Sequence, residues 1–182
     1  MTKFIFIRHG KKLFDNGKPI DGKPAHDPPL LKDQEDELEK KITDLTSKYG
    51  EPDSIISSPF LRTRQTSTII SNFLKYKSVK YEIRVKEFLG WQKPAGSPAI
   101  LDDITKAYMG GDLLGMEQPI NVENRVEDFI NEFESDDTKD KIYYVVTHGI
   151  VISKACKIKG RNKSHFDNFC GAYIDGDIVE FF

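Results

Sequence analysis

Two runs, Lys3–Arg8 and Ile142–Thr147, carry apolar residues at consecutive positions rather than alternate ones. A strand with one wet face alternates, whereas a strand buried on both faces does not. Both runs therefore read as strands covered above and below, as in a parallel sheet with helices on its faces. The chain supplies helical stretches to cover them. Leu38, Ile42, Leu45 and Tyr49 fall on one helical face, in a helix predicted over 33–48 with Asp33 as its cap and Gly50 as its stop. Ser58-Pro59 reads as an N-cap followed by proline at the first helical position. That helix is expected to run to about residue 75 and to bury Leu61, Ile69 and Phe73. A third helix, capped by Asn121, carries Val122, Val126, Phe129, Ile130 and Phe133, and a fourth is expected over 149–159.

Short strands are predicted at 53–57 and 79–85, and a hairpin at 172–182 with Asp175-Gly176 as its two-residue turn. Residues 11–32 read as a long loop and 135–141 as a charged turn. An irregular segment at about 94–121 reads as an inserted cap, with a short helix at 101–108. The alternation of strands and helices predicts a three-layer α/β/α fold around a mostly parallel sheet. At 182 residues, with no linker or repeat, the chain reads as a single domain over 1–182.

Charge narrows the partners. Twenty-seven basic and 29 acidic side chains leave a net charge of −2, which argues against a nucleic-acid binder working by bulk charge. No apolar run is long enough for a membrane span, and Arg8 interrupts the N-terminal run too early for a signal peptide. Cys156 and Cys170 are the only thiols and form no CxxC pair. A reduced, cytoplasmic protein is the expectation.

Both apolar strands end in the same dipeptide: Arg8-His9-Gly10 and Thr147-His148-Gly149. In open parallel sheets ligands collect beyond the carboxyl ends of the strands, and a glycine there lets backbone come close to a ligand. Two of only four histidines share this context; His26 and His165 lie in polar stretches and take no role. Arg62 falls in the first turn of the helix after Ser58, where it could share an anion with the helix N-terminus. Arg64, about 200° further round, cannot face the same way.

Taken together, Arg8-His9-Gly10, Ser57-Ser58-Pro59-Phe60-Leu61-Arg62-Thr63-Arg64-Gln65-Thr66, Glu87-Phe88-Leu89-Gly90-Trp91 and Thr147-His148-Gly149 resemble the histidine phosphatase superfamily, the phosphoglycerate-mutase-like clan, in order and spacing. The resemblance covers nearly the whole chain and implies a phosphoglycerate-mutase-like fold. It also implies a mechanism. His9 would be a nucleophile that forms a phosphohistidine. Arg8, Arg62 and His148 would hold the phosphoryl oxygens, and Glu87 would give a proton to the leaving oxygen. No metal or other cofactor is implied, and no HxH, HExxH or carboxylate cluster suggests one.

The chain also departs from the family pattern. Lys11 and Lys12 replace the acidic and small residues common after Arg-His-Gly. The family's Trp-Asn pair appears as Phe14-Asp15, and Asn16, one step on, is a candidate phosphate contact. Asp27-Pro28-Pro29-Leu30 resembles the family's Asp-x-Pro-Leu block, with Gln34 in place of the expected glycine; Gln92-Lys93 replaces the common Glu-Gly.

Mutases of the clan need extra arginines after the proton donor. Here 94–120 holds one cation, Lys106, against Asp102, Asp103, Asp112 and Glu117, together with Ile100, Leu101, Tyr108, Met109, Leu113, Leu114 and Met116. The expectation is a metal-independent phosphomonoesterase for a small or aryl phosphate ester, or a phosphopeptide. The alternatives are a phosphoglycerate-mutase-type phosphotransferase and a catalytically weak phospholigand-binding module.

Overall fold

The computed structural model describes residues 1–15, 18–19, 27–75, 79–88, 119–134 and 140–182. Asn16, His26 and nearly all of the inserted segment at 94–121, including 101–108, lie outside the described residues, as does most of 135–141.

Among the described residues the main sheet has six strands. In chain order they are β1 (Lys3–Arg8), β4 (Ser54–Ser57), β5 (Lys80–Tyr81), β6 (Ile142–Thr147), β7 (Gly171–Asp175) and β8 (Ile178–Phe181); β2 (Phe14–Asp15) and β3 (Lys18–Pro19) form a separate small pair. The spatial order is β5-β4-β6-β1-β7-β8. The first four of these run parallel, and β7 and β8 close the other edge antiparallel.

Among the described residues four helices cover the sheet: α1 (Glu35–Tyr49), α2 (Leu61–Phe73), α3 (Pro119–Phe133) and α4 (Gly149–Ile158). Strand pleating sends Ile5, Ile7, Tyr144 and Val146 to one face, where Leu38, Ile42 and Leu45 of α1 and Ile70 of α2 meet them. Phe4, Phe6, Tyr143 and Val145 go to the other face, against Val122, Val126, Phe129 and Ile130 of α3 and Val151, Ile152 and Ala155 of α4. The three-layer α/β/α arrangement and the mostly parallel sheet are as the sequence predicts.

Local details differ. Helix α1 starts after Gln34, not at Asp33, which takes a left-handed φ of 62°. Helix α2 starts after Phe60, so Ser58 is not its cap. Its buried face is polar, with Arg62, Thr63, Thr66 and Ser67, whereas Phe73 is exposed and Leu61 and Ile69 are half-buried. The buried hydroxyls are hydrogen-bonded: Thr63 Oγ1 donates to the Ser58 and Phe60 carbonyls, and Thr66 Oγ1 to Arg62 O. Helix α3 begins at Pro119, so Asn121 is inside its first turn rather than capping it. The predicted strand at 79–85 shrinks to Lys80–Tyr81, followed by a single 3₁₀ turn at Ile83–Val85. In the hairpin, Asp175 pairs with Ile178, so the turn is Gly176-Asp177, with Gly176 at φ 58°.

Candidate active site

Strand register assembles the site. Parallel pairing of β1 and β6 sets Arg8 opposite Thr147, so the two His-Gly elbows leave the sheet side by side. The His9 N–H continues the ladder to Thr147 O at 3.0 Å. On the far side of β6, Ser57 pairs with Val146, which delivers Ser58 and the start of α2 to the same edge. The chain leaving β5 passes through the 3₁₀ turn and brings Glu87 in from the end of the row. Four parallel strands thus contribute four neighbouring pieces of one site, beyond their carboxyl ends.

His9 is buried, and its tautomer is fixed by its partners. Nδ1 lies 2.7 Å from the Gly10 carbonyl, which can only accept, so the proton sits on Nδ1. Nε2 accepts from Arg62 Nε–H at 3.1 Å and carries the lone pair. Burial, with His148 and Arg62 beside it, holds His9 well below its ordinary value of 6.5, so the ring is neutral.

Arg62 is the hub. Its Nη2 contacts Glu87 Oε2 and His148 Nδ1, both at 3.2 Å, and its Nη1 reaches Asp27 Oδ1 at 3.3 Å. Burial works against this charge, and Glu87 and Asp27 answer it. His148 is fully buried; Nε2 lies 2.9 Å from Ser58 Oγ and Nδ1 3.1 Å from Glu87 Oε2. Burial pushes His148 down to about 4, against the pull of Glu87. For Glu87, burial opposes ionisation, but His148 and Arg62 overcome it and hold the carboxyl well below the usual range. With His148 neutral above about pH 4, Arg62 holds Glu87 ionised, and the pair at neutral pH is an imidazole facing a carboxylate.

Arg8 donates from Nη1 to the Phe166 carbonyl, and its buried Nε–H has no acceptor among the described residues. That donor stands close to Gly149, the first residue of α4. An unsatisfied buried donor beside a helix N-terminus is suited to an anion. His9, His148 and Glu87 also lie close enough to ligate a metal ion. A cation there, however, would have to compete for the same ligand atoms with the Arg62 guanidinium, which already contacts all three.

Five of the six residues singled out in the sequence, Arg8, His9, Arg62, Glu87 and His148, come together; Asn16 is outside the described residues. Arg64 turns away, over the Tyr81 ring at 5.7 Å, and His165 is exposed beside Asp167. The two glycines differ. A Cβ on Gly10 would lie 2.6 Å from the Phe169 ring and 2.8 Å from Gln34 Oε1, so tight packing requires it; at Gly149 the nearest atom is 3.8 Å away.

The sequence did not assign the supporting residues. Asp27 accepts from the Leu61 N–H at 2.7 and 2.9 Å and so caps α2 from 34 positions away. Gln34, the departure from the expected glycine, clamps Lys11 at both its N–H and its carbonyl. Arg125 on α3 donates to the Arg84 carbonyl and, at 3.5 Å, to the Glu87 carbonyl, steadying the backbone that carries the acid. Only Asp27 had a signal, its Asp-Pro-Pro-Leu block.

The model of the histidine phosphatase superfamily (branch 1) matches residues 4–181. The chain belongs to this superfamily. No curated protein sequence matches it; solved structures of similar fold do. Phosphoglycerate mutase from Bacillus anthracis superposes with a TM-score of 0.68 at 16% identity, over 100% of this chain and 91% of that one. A mycobacterial glucosyl-3-phosphoglycerate phosphatase gives 0.65 at 17% identity, over 94% and 88%. YhfR of Bacillus stearothermophilus gives 0.68 at 16%, over 100% and 95%. At these identities the likeness concerns the fold, and this superfamily fold sets mutases and phosphatases side by side.

Proposed function

We propose that this histidine phosphatase superfamily member is a phosphomonoesterase that works through a phosphohistidine on His9. The observation that carries the reading is the state of His9: a neutral ring with its proton tied to Gly10 O and its Nε2 lone pair directed at Arg62. A neutral imidazole with an unprotonated nitrogen is a nucleophile once the substrate takes over the hydrogen bond that Arg62 gives it. A nearby mycobacterial phosphatase of the same fold, crystallised with inorganic phosphate and with vanadate, supports a phosphoryl ligand here.

In the proposed reaction Nε2 attacks phosphorus and the P–O ester bond breaks. Arg62, Arg8 and His148 hold the non-bridging oxygens, each such donor being worth roughly 3–4 kcal/mol. The leaving oxygen takes the Glu87 proton and departs as an alcohol. Glu87 is ionised in the empty site, but a phosphoryl dianion draws on the Arg62 charge and raises the carboxyl's affinity for a proton. Substrate binding thereby favours the acid form the first step needs. In the second step water attacks phosphorus, its proton passes to Glu87, and the P–N bond breaks to free His9 and phosphate.

The composition of 94–120, rich in apolar residues and free of arginine, supports a small aryl or moderately hydrophobic leaving group rather than a phosphoglycerate. Full coverage by a phosphoglycerate mutase fold makes mutase activity the second reading. Acid- and alkali-quenched trapping tests the intermediate: the label should be acid-labile, alkali-stable and absent in His9→Ala. Hydrolysis of p-nitrophenyl phosphate, fructose bisphosphates and phosphoglycerates, assayed side by side and with EDTA, tests the rest. Mutase turnover above hydrolysis would overturn the phosphatase reading, and loss of activity in EDTA would overturn the metal-independent one.

A further inference from the structure

We propose that Gln34 is a positioning residue for His9: it holds the Gly10–Lys11 peptide so that the Gly10 carbonyl keeps the ring proton on Nδ1 and leaves Nε2 bare. That Nε2 attacks phosphorus rests on the phosphatase reading above; the hold on the ring does not.

The peptide between Gly10 and Lys11 has a partner on each side. Its carbonyl faces His9 Nδ1 at 2.7 Å, and its N–H donates to Gln34 Oε1 at 2.6 Å. In a planar trans peptide these two groups point in opposite directions. An acceptor that fixes the N–H on one side therefore aims the carbonyl to the other, at the imidazole. The network also settles which end of the Gln34 amide faces Lys11 N–H. Nε2 donates to Lys11 O at 3.0 Å and to Leu31 O at 2.6 Å. Exchanging the two ends would set an oxygen against two carbonyls and an NH2 against an N–H. Gln34 is buried just before α1, and its Oε1 packs on Gly10, where an added Cβ would lie 2.8 Å from it.

The flanking peptides have other partners. The Gly10 N–H donates to Thr66 Oγ1 at 3.2 Å, and Lys11 O also accepts from the Leu31 N–H at 2.8 Å. Among the described residues, Gln34 is the acceptor for the N–H of the peptide between them. Glycine makes this the peptide that turns most easily, so without that acceptor the carbonyl is free to leave Nδ1. The hold matters most when substrate is bound. In the empty site Arg62 Nε–H also donates to Nε2, at 3.1 Å, and that bond must be given up before Nε2 can reach phosphorus. The Gly10 carbonyl then keeps the proton on Nδ1, because the bond made by one ring nitrogen sets the state of the other. A ring protonated on Nε2 has no lone pair there to attack. At 34 the family pattern expects glycine, which offers no side chain for this task.

The test reads the His9 proton directly. With only four histidines the nitrogen-15 spectrum is simple, and long-range couplings show which ring nitrogen carries hydrogen; His9→Ala assigns the signals. Spectra at about pH 7.5, with and without saturating inorganic phosphate, are paired with kcat/KM for p-nitrophenyl phosphate. Gln34→Met fills the space without an acceptor. It should give a mixture of the two ring forms, more so with phosphate bound, and lower kcat/KM by about tenfold, the scale of one lost buried hydrogen bond. If it fails to fold, Gln34→Gly, which suits a helix N-cap, carries the same expectation. Gln34→Glu keeps an acceptor for the Lys11 N–H and loses the donors; it should lower Tm yet keep the Nδ1–H form and stay within about threefold of wild type. Gln65→Met removes a comparable clamp, Gln65 Oε1 on the Leu30 N–H at 2.8 Å, and should leave the His9 ring unchanged. A wild-type ring protonated on Nε2, an unchanged ring in Gln34→Met, equal mixing in Gln34→Glu, or the same change in Gln65→Met overturns the proposal. The expected ring pattern in a protein that forms no phosphohistidine would instead overturn the phosphatase reading and leave the hold of Gln34 in place.

Discussion

Removing Asp27 separates two effects that one carboxylate combines. Its oxygens cap α2 through the Leu61 N–H, and one of them faces Arg62 Nη1 at 3.3 Å. An N-cap contributes about 1 kcal/mol. The ion pair is harder to size. Loss of one partner of a fully buried pair costs about 3–5 kcal/mol. Asp27, however, is 26% exposed, and Arg62 keeps Glu87 after the change, so about 1 kcal/mol is the appropriate share. Asp27→Ala should then destabilise by about 2 kcal/mol, or about 4–8 °C in Tm for a chain of this length. Asp27→Asn keeps an oxygen for the Leu61 N–H and loses only the charge, so it should cost about half as much. Urea unfolding of the three proteins, with m-values compared, measures both losses. If Asn is as damaging as Ala, the cap contributes nothing and the dissection fails. If both variants match wild type, Asp27 supports neither the helix nor Arg62.

Acid should destabilise the protein in two stages. Between pH 6.5 and about pH 4 the unfolded chain takes up a proton at His148 that the folded chain, with its depressed value, refuses. Stability therefore falls as pH drops through that window, by on the order of 3 kcal/mol from this residue. Glu87, depressed from 4.5, continues the loss below that value. Denaturation midpoints at pH 7.5, 6 and 4.5 check this, and a flat profile from 7.5 to 4.5 contradicts it. Glu87→Gln should lower kcat/KM, which reports the phosphoryl-transfer step to His9, by about 10²–10⁴-fold for alkyl phosphates and far less for p-nitrophenyl phosphate, whose leaving group needs little protonation. Equal losses on both esters would remove Glu87 as the acid. Gly171→Ala should cost more than about 3 kcal/mol, because a Cβ would lie 1.7 Å from the Phe6 carbonyl oxygen in the β1–β7 pairing. Thermal unfolding within a few degrees of wild type would show that β7 shifts to accommodate it.

What the sequence disclosed of the fold follows the strength of each local signal. Strands β1 and β6 were legible because burial on both faces leaves a run that no amphipathic helix would show. Helix α1 was legible because one apolar stripe meets the sheet. Helix α2 was misread in its facing, since the side it buries carries Arg62, Thr63 and Thr66, and hydropathy assigns those residues to solvent. The stretch at 79–85 was read as one strand, but only its first part reaches β4; the Ile83–Val85 turn redirects the chain toward the site. The hairpin was found with its turn one residue early, because the αL position is Gly176 itself.

In the candidate site, Arg8, His9, Arg62, Glu87 and His148 could be read from motifs, because each sits at a fixed offset from a strand end. Their supports could not, and the two clearest misses have one cause. Ser58 looked like the cap of α2, yet its Oγ lies 2.9 Å from His148 Nε2. The cap is Asp27, contributed by a segment far away in sequence. A local serine would have satisfied the helix end with a neutral oxygen. It would have left Arg62, the second residue of the helix, opposing the helix dipole. A carboxylate at the same place favours the dipole and offsets Arg62 together. It also leaves the serine for the buried imidazole, which has no other acceptor or donor at Nε2 among the described residues. Two apparent exceptions to local rules are therefore one arrangement, in which a distant charge relieves a local residue for duty in the site.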